Sequence, residues 1–277
     1  MRAMQFSDYV KRSLRKYGIR PQKRLGQSFN IDPHIMRLMV KHAELERRDI
    51  VLEIGAGFGN LTEMLAEKAG EVLAVEVDSR LVEALRSKFQ GFKNVRIMHS
   101  DFLKLDLQGQ YTKVVSDPPY PAASKILFKL LEEKFNSGVL LFQEEFARRL
   151  VAEAGSREYS RLTVMTHMLT EVELIERAPS SAFYPKPRTA SMVVKLKPRK
   201  HPPFKVANRR AFAETVRFLF TQKKRKLKSA VKLMAKRGLI SEAVEPFKDI
   251  PYLERRIFTL KPEEFEKISE ALCGRGP

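Results

Sequence analysis

The sequence has 277 residues, 43% of them hydrophobic, which is enough for an α/β domain with a sizeable core and a smaller second domain. Its 52 Lys and Arg residues outnumber 33 Asp and Glu residues, and the net charge of +19 favours a polyanionic partner such as a nucleic acid. No run approaches the roughly 18 to 20 apolar residues of a membrane span, and the basic amino-terminal stretch lacks the apolar region of a signal peptide. With a single cysteine and no histidines at ligand spacing, we expect a cytoplasmic protein that binds no metal.

Short apolar runs alternate with helical patterns between residues 50 and 142, which is typical of a parallel sheet with crossover helices. The predicted strands of this region are residues 50–54, 72–75, 95–98, 114–115 and 139–142. The predicted helices are residues 61–69, 81–89 and 126–134. Two further strands are predicted at residues 172–175 and 192–196, joined by a proline-rich segment. The order indicates a Rossmann-like seven-stranded sheet that is closed by an antiparallel hairpin.

The pattern changes after this sheet. Three prolines between residues 198 and 203 interrupt a basic stretch without periodicity, which predicts a boundary between one domain at residues 1–197 and another at residues 198–277. Apolar residues recur at helical spacing over residues 209–237, and a last helix is predicted over residues 262–272. The predicted fold class is therefore α/β, a Rossmann-like seven-stranded sheet with a small carboxyl-terminal helical domain.

Polar residues are predicted at the carboxyl ends of successive strands, where open α/β sheets bind ligands. The Gly-x-Gly-x-Gly turn at residues 55–59 lets the backbone approach a ligand closely, and its spacing disfavours a nicotinamide oxidoreductase, which needs Gly-x-Gly-x-x-Gly. Glu76 ends the second strand, where a carboxylate accepts both ribose hydroxyls. Asp101 ends the third strand, where it accepts an adenine amino hydrogen beside the ring of Phe102. The pattern predicts a site for S-adenosylmethionine.

The stretch Asp117-Pro118-Pro119-Tyr120 follows the fourth strand. Two prolines remove two backbone donors and leave rigid carbonyls exposed, so the Asp117 carboxylate and the Pro118 carbonyl suit an exocyclic amino group, which offers hydrogens to accept. Tyr120 adds a flat face on which a flipped base stacks. The arrangement resembles the Asp/Asn-Pro-Pro-Tyr signature of methyltransferases that act on the amino group of adenine.

Three further segments, together with these strand-end residues, resemble the ribosomal RNA adenine N6,N6-dimethyltransferase family (the KsgA type, in an archaeal-like form) over nearly the whole chain. They are Lys23-Arg24-Leu25-Gly26-Gln27-Ser28-Phe29, Phe183-Tyr184-Pro185-Lys186-Pro187 and Phe220-Thr221-Gln222-Lys223-Lys224-Arg225-Lys226-Leu227. The resemblance implies a seven-stranded methyltransferase sheet, S-adenosylmethionine as cofactor, and two adjacent adenosines in the last hairpin of small-subunit ribosomal RNA as substrate. It also implies that the partner is the immature small ribosomal subunit, and we expect the protein to be a monomer.

The resemblance implies a role for each site residue. The cofactor would lie against an amino-terminal group, with its methionine end near the glycine turn, and the flipped adenine would lie between two aromatic rings. The residues implied to bind the cofactor are Gln27, Ser28, Asn30, Gly55, Gly57, Glu76, Asp101, Phe102 and Asp117. The residues implied to bind and activate the target base are Asp117, Pro118, Tyr120 and Phe183.

The chain departs from the family pattern at two positions. The family usually has Asn-Leu-Pro-Tyr or Asn-Ile-Pro-Tyr where this chain has Asp117-Pro118-Pro119-Tyr120, and its first signature usually continues Phe-Leu where this chain has Phe29-Asn30. An ionised Asp only accepts hydrogen bonds, whereas an Asn amide also donates. Monomethylation is therefore the rival to dimethylation.

Basic residues are concentrated in the second domain and predict an RNA-docking surface. Glu214 is the only acidic residue between positions 199 and 237, and a helix carrying residues 223–228 would present positive charge on all sides, which suits phosphate contacts. The predicted RNA-binding residues are Arg209, Arg210, Lys223, Lys224, Arg225, Lys226 and Lys228.

Two other functions remain open from the sequence. One is an assembly factor that binds immature ribosomal subunits and whose catalysis is dispensable, although the intact cofactor motifs argue against a purely non-catalytic chain. The other is an adenine methyltransferase for DNA or another RNA, which would need a larger target-recognition domain than the second domain provides.

Overall fold

The structure is a computed structural model that describes residues 3–240 and 249–273. The helices in these ranges are α1 (Ala3–Lys16), α2 (Pro33–Ala43), α3 (Asn60–Ala66), α4 (Ser79–Lys88), α5 (Ala123–Glu132), α6 (Glu144–Leu150), α7 (Arg161–Leu169), α8 (Arg209–Thr221), α9 (Leu227–Lys236) and α10 (Pro262–Cys273). The strands are β1 (Phe29–Asn30), β2 (Ile50–Ile54), β3 (Glu71–Glu76), β4 (Val95–His99), β5 (Lys113–Ser116), β6 (Ser137–Gln143), β7 (Thr170–Ala178), β8 (Phe183–Tyr184) and β9 (Ser191–Pro198). None of these helices is long and apolar enough to cross a bilayer.

Seven strands form one sheet in the order β4-β3-β2-β5-β6-β9-β7. The first five of these strands are parallel, and β9 runs antiparallel to β6. Parallel strands are covered on both faces, so their sequences are nearly continuous apolar runs, and β3 and β6 are accordingly buried along most of their length. The Rossmann-like seven-stranded sheet is confirmed, and each predicted strand lies within three residues of its observed ends.

A two-stranded ribbon, formed by β1 and β8, joins two segments that are far apart in the chain. The strands are antiparallel, with Phe29 opposite Tyr184 and Asn30 opposite Phe183. The Ser28 hydroxyl extends the ribbon at one end by donating to the Pro185 carbonyl at 2.7 Å. The ribbon therefore holds the amino-terminal signature against the proline-rich segment that precedes β9.

Helix α1 packs against the glycine turn and helix α4, and the sequence analysis did not predict it. Val10 and Leu14 are one turn apart and pack with Phe58 of the glycine turn and with Leu81 of α4. The side chains between them are mostly basic or polar, which hid this apolar stripe in the sequence. Four-residue spacing of apolar side chains places them on one helix face, so the other face of α1 is left to solvent.

The chain divides into two compact units, Met1–Ala147 with Val172–Pro198 and Arg148–Glu171 with Arg199–Pro277. The break after Pro198 lies one residue from the predicted domain boundary. The segment Arg148–Glu171, which the prediction placed in the first domain, groups with the second unit. In that unit the Tyr159 hydroxyl donates to the Leu260 carbonyl at 2.7 Å, and Phe220 stacks on Phe265 of α10.

The helical pattern predicted over residues 209–237 forms two helices, α8 and α9, with a break between them. Helix α8 ends at Thr221, and the backbone of the next residues pairs with a distant segment instead of continuing the helix. Phe258 N donates to the Lys223 carbonyl at 3.1 Å, and Leu227 N donates to the Arg255 carbonyl at 2.9 Å. Helical periodicity in the sequence did not reveal this break because the competing partner is about thirty residues away.

Candidate functional site

A pocket of about 990 Å³, open to solvent, lies at the carboxyl ends of β2, β3, β4 and β5 in the first unit. The pocket brings together all of the predicted cofactor-binding residues. They are Gln27, Ser28, Asn30, Gly55, Gly57, Glu76, Asp101, Phe102 and Asp117.

The glycine turn is shaped by backbone conformation and by close packing. Gly55 and Gly57 have φ values of 81° and 59°, in the left-handed region that disfavours other residues. A Cβ at Gly55 would lie 3.4 Å from Cδ of Pro119 and 3.6 Å from the Asp117 carbonyl oxygen. The turn therefore lies directly against the Asp-Pro-Pro-Tyr segment, so the two motifs share one wall of the pocket.

Glu76 holds this turn in place. Its Oε2 accepts a hydrogen bond from Gly57 N at 2.9 Å, and its Oε1 accepts from Val77 N at 2.8 Å and from Asp78 N at 3.0 Å. Burial raises the pKa of Glu76, and these three backbone donors oppose the rise by stabilising the ionised form. A carboxylate has about four lone-pair sites, so Glu76 keeps capacity to accept a further hydrogen bond from a ligand.

Glu53 is a pocket residue that the sequence analysis did not select. Its side chain is 2% exposed, and its Oε2 accepts a hydrogen bond from the Thr62 hydroxyl at 2.6 Å. Burial raises the pKa of Glu53 to about 8, and the neighbouring charges of Glu76 and Asp117 act in the same direction. The sequence signal for Glu53 was its place near the end of β2, two residues before Gly55 of the glycine turn.

Asp117 and Tyr120 lie at the end of β5 with different surroundings. Asp117 is half-buried and lines the pocket, and desolvation raises its pKa well above the ordinary value of an aspartate. The Tyr120 hydroxyl shares a 2.7 Å hydrogen bond with the Ser191 hydroxyl of β9, and burial together with the charge of Asp117 raises the pKa of Tyr120. The phenol is therefore neutral over the physiological range, and its ring is tethered to the sheet.

The other residues predicted to contact the target base do not line this pocket. Pro118 is buried, and Phe183 is 2% exposed within the apolar core of the first unit. Its neighbour Tyr184 is 36% exposed. The stacking of an adenine on Phe183 stays a prediction, and it requires the ring to become accessible.

Two buried amides in the pocket wall each have an atom without a partner among the described residues. Asn60 Nδ2 donates to the Asn30 carbonyl at 3.3 Å, and Asn30 Oδ1 accepts from Asp32 N at 2.9 Å. These bonds orient both amides and leave Asn30 Nδ2 and Asn60 Oδ1 unpaired. A buried polar group without a partner costs about 1–3 kcal/mol, so the wall offers one donor and one acceptor to a polar ligand.

The predicted RNA-binding residues lie in the second unit, but they do not form an all-basic helix. Lys226 and Lys228 both reach the carboxylate of Glu254, at 2.8 and 3.5 Å, and Lys223 Nζ donates to the Arg157 carbonyl. Arg210 pairs with Glu214 at 3.3 Å. The sequence analysis did not count Glu254 because it lies beyond the basic stretch. The remaining predicted residues, which are exposed and make no ion pair with a described residue, are Arg209, Lys224 and Arg225.

The sheet order, the glycine turn and the acids at the strand ends together define a Rossmann-like methyltransferase. The chain is 40% identical to a probable ribosomal RNA small subunit methyltransferase A from Methanopyrus kandleri, over 98% of both chains. It is 41% identical to the protein of that name from Thermococcus onnurineus, over 93% of this chain and 94% of the other.

Two solved structures are similar over most of the chain. A dimethyladenosine transferase from Plasmodium falciparum has a TM-score of 0.74 and 26% identity, covering 88% of this chain and 97% of the other. The 23S rRNA methyltransferase ErmE has a TM-score of 0.63 and 28% identity, covering 87% and 98%. A family model described as ribosomal RNA adenine dimethylase matches residues 19–253. The chain belongs to the ribosomal RNA adenine dimethylase family.

The family resemblance read from the sequence motifs is thereby confirmed. The protein is an rRNA adenine dimethyltransferase, and its cofactor is S-adenosylmethionine. Neither a DNA methyltransferase nor a monomethylating enzyme is favoured by these relatives.

Proposed function

We propose that this enzyme methylates the exocyclic amino groups of two adjacent adenosines in the 3′-terminal hairpin of small-subunit ribosomal RNA during ribosome biogenesis. The observation that carries the proposal is the close packing of the glycine turn against the Asp-Pro-Pro-Tyr segment. The pocket for the cofactor is therefore adjacent to the segment that resembles the signature of adenine amino-group methyltransferases. The relatives named as small subunit methyltransferases support the choice of RNA. We also infer that the enzyme acts as a cytoplasmic monomer on the immature small subunit.

The pocket residues fit S-adenosylmethionine. Asp101 and Phe102 offer a carboxylate and a ring to the adenine, and Glu76 offers its remaining acceptor capacity to the ribose hydroxyls. Asn30 Nδ2 and Asn60 Oδ1 offer a donor and an acceptor, which match the carboxylate and the ammonium group of an amino acid. The bound cofactor supplies a methyl group already activated by a sulfonium centre, so the protein needs to contribute only position and electrostatics.

The Asp-Pro-Pro-Tyr segment prepares the acceptor nitrogen. The Asp117 carboxylate and the Pro118 carbonyl accept the amine hydrogens, which favours a pyramidal nitrogen and stabilises the positive charge that develops on it. Tyr120 stacks on the base and offsets part of the cost of removing it from the RNA stack, by about 1–3 kcal/mol. Alignment of the two reacting atoms lowers the barrier further because a bimolecular step becomes effectively unimolecular.

Replacing Asn30 or Asn60 by leucine should weaken S-adenosylmethionine binding about tenfold, since each loses one hydrogen bond of about 1.4 kcal/mol. Titration calorimetry with 5′-methylthioadenosine, which lacks the amino-acid end, provides the control, and its affinity should stay within twofold of wild type. An equal loss of affinity for both ligands would show instead that the leucine side chains distort the pocket.

Lys224 and Arg225 should account for more of the salt dependence of RNA binding than Lys226 and Lys228. Each phosphate contact contributes about 0.7–0.9 to the slope of log K against log salt, so Lys224→Gln with Arg225→Gln should lower the slope by about 1.5. Lys226→Gln with Lys228→Gln is the matched pair, and its effect should be smaller because both lysines are already tied to Glu254. An unchanged slope in the first pair would remove this segment from the RNA interface.

Mass spectrometry of nucleosides tests the proposed function. Unmodified small ribosomal subunits are incubated with the protein and S-adenosylmethionine, and dimethyladenosine is expected. Monomethyladenosine alone, at long times and with excess cofactor, would show that Asp117 permits a single transfer. Tight subunit binding without any methylated adenosine would favour an assembly factor.

A further inference from the structure

Helix α1 presents a basic face that has no role in the site described above. Lys11, Arg12, Arg15 and Lys16 are exposed, and their spacing places them on one side of the helix. The opposite side is anchored, since Val10 and Leu14 pack in the core of the first unit. Asp8 is the only acidic residue between positions 3 and 24. The basic face is therefore held in place by the packing of the opposite face, and nearly all of its charged side chains are positive.

A second exposed segment contacts this face. Lys11 Nζ lies 5.4 Å from the ring centroid of Tyr184, within the range of a cation–π interaction. Tyr184 is 36% exposed, and Lys186 and Arg188 beyond it are exposed as well. Residues 179–190 contain no acidic residue. An aromatic ring thus lies among basic side chains at the surface.

The ribbon connects this surface to the cofactor pocket. Tyr184 pairs with Phe29 across the β1–β8 ribbon, and Phe29 lines the pocket. The Ser28 hydroxyl, also in the pocket wall, donates to the Pro185 carbonyl at 2.7 Å. The exposed ring of Tyr184 and the pocket-lining residue Phe29 therefore lie on adjacent strands of one hydrogen-bonded ribbon.

We propose that Lys11, Arg12, Arg15, Lys16, Tyr184 and Lys186, here called the amino-terminal basic surface, bind the RNA strand beside the target adenosine. The basic side chains contact the phosphates that flank the target, and Tyr184 stacks on a neighbouring base. The inference rests on the proposed function because it takes small-subunit ribosomal RNA as the polyanion. It adds a contact surface in the first unit to the one predicted in the second.

The chemistry of the surface favours a single-stranded RNA segment. Sequence-specific RNA recognition stacks unpaired bases on exposed aromatic rings, and a base flanking an extruded adenosine has lost one stacking neighbour. Phosphates on both sides of such a base match basic side chains arranged around a ring. An acidic protein would satisfy the charges but would leave the exposed ring without a flat partner.

The test measures binding of the full-length protein to unmodified small ribosomal subunits over a series of KCl concentrations. The variant Arg12→Gln, Arg15→Gln and Lys16→Gln should lower the slope of log K against log salt by about 2 to 3. The matched control replaces Lys68, Lys93 and Arg96 by glutamine. These three residues are exposed near the amino ends of β3 and β4, whereas the pocket lies at the carboxyl ends of the strands. The control should leave the slope nearly unchanged.

Tyr184 is tested by a second pair of variants. Tyr184→Ala should weaken subunit binding about tenfold, whereas Tyr184→Phe should bind like wild type because the ring is kept. S-adenosylmethionine affinity, measured by calorimetry, should be unchanged in every variant, which shows that the pocket is intact. Equal slopes for the α1 variant and its control, or wild-type binding by Tyr184→Ala, would overturn the proposal.

The two proposals fail in different ways. If the wild-type protein yields no dimethyladenosine on small subunits, the proposed function fails whatever the slopes are. If the wild type methylates the subunits but the α1 variant and its control bind them with the same salt dependence, only the amino-terminal basic surface is wrong.

Discussion

Tyr120→Ala should lower the single-turnover rate of methyl transfer by about 10- to 100-fold while S-adenosylmethionine affinity stays within twofold of wild type. The ring is assigned to the target base, and loss of base–aromatic stacking costs about 1–3 kcal/mol. Tyr120 does not line the cofactor pocket, and its hydroxyl is bonded to Ser191 of β9 at 2.7 Å. Rates come from rapid-quench assays with saturating subunits, and affinities come from calorimetry.

Tyr120→Phe is the matched control for this prediction. It keeps the ring and loses only the hydrogen bond to Ser191, so its rate should lie much closer to wild type than to the alanine variant. A parallel fall in cofactor affinity and rate for Tyr120→Ala would place the ring in the cofactor pocket, contrary to the assignment.

Asp117→Ala should reduce the rate by at least about 100-fold, because the amine then loses its acceptor in a desolvated site where a preorganised hydrogen bond is worth about 2.7–4 kcal/mol. Asp117→Asn should retain much of the activity, since the amide oxygen still accepts, and the family usually has Asn at this position. The two substitutions therefore separate loss of the acceptor from loss of the charge.

The pH dependence of the methyl-transfer rate provides a second test of the role of Asp117. Burial raises the pKa of Asp117, and only the ionised carboxylate accepts at both oxygens, so the wild-type rate should fall as pH is lowered through that raised pKa. The fall should begin well above pH 3.9, the ordinary value for aspartate. It should be absent from Asp117→Asn, measured by single turnover between pH 5 and 9.

Glu53 provides the control for the pH experiment because its pKa is raised to about 8. Glu53→Gln should still show the fall in rate at low pH, here called the acid limb, if Asp117 is the titrating group. An acid limb that persists in Asp117→Asn and disappears in Glu53→Gln would assign it to Glu53 instead.

Local patterns in the sequence were sufficient for the parallel part of the sheet and for the residues at its strand ends. The strands from β2 to β6 each contain a short apolar stretch, and Glu76, Asp101 and Asp117 lie at or just after the carboxyl ends of β3, β4 and β5. Their convergence therefore follows from the topology of parallel strands. Asn60 was missed because its importance lies in an unpaired atom, which depends on the Asn30 carbonyl far away in the chain.

Other features were missed because distant residues decide them. The break after Thr221 reflects backbone pairing with residues 253–258, and the neutralisation of Lys226 and Lys228 depends on Glu254. Nothing near Phe183 in the sequence indicates that its ring is buried while that of Tyr184 is exposed. Alternation along a two-residue strand has that effect, since successive side chains point to opposite faces.

The β1–β8 ribbon has a consequence for the synthesis of this protein. A nascent chain that has emerged as far as β6 already contains the glycine turn and all three strand-end acids, but β1 has no strand to pair with until Phe183 and Tyr184 emerge. Strand β9, which lies between β6 and β7, arrives later still. Cofactor-dependent stabilisation during translation should therefore begin only after about residue 198 has left the exit tunnel, and chains truncated earlier should remain sensitive to protease with or without S-adenosylmethionine.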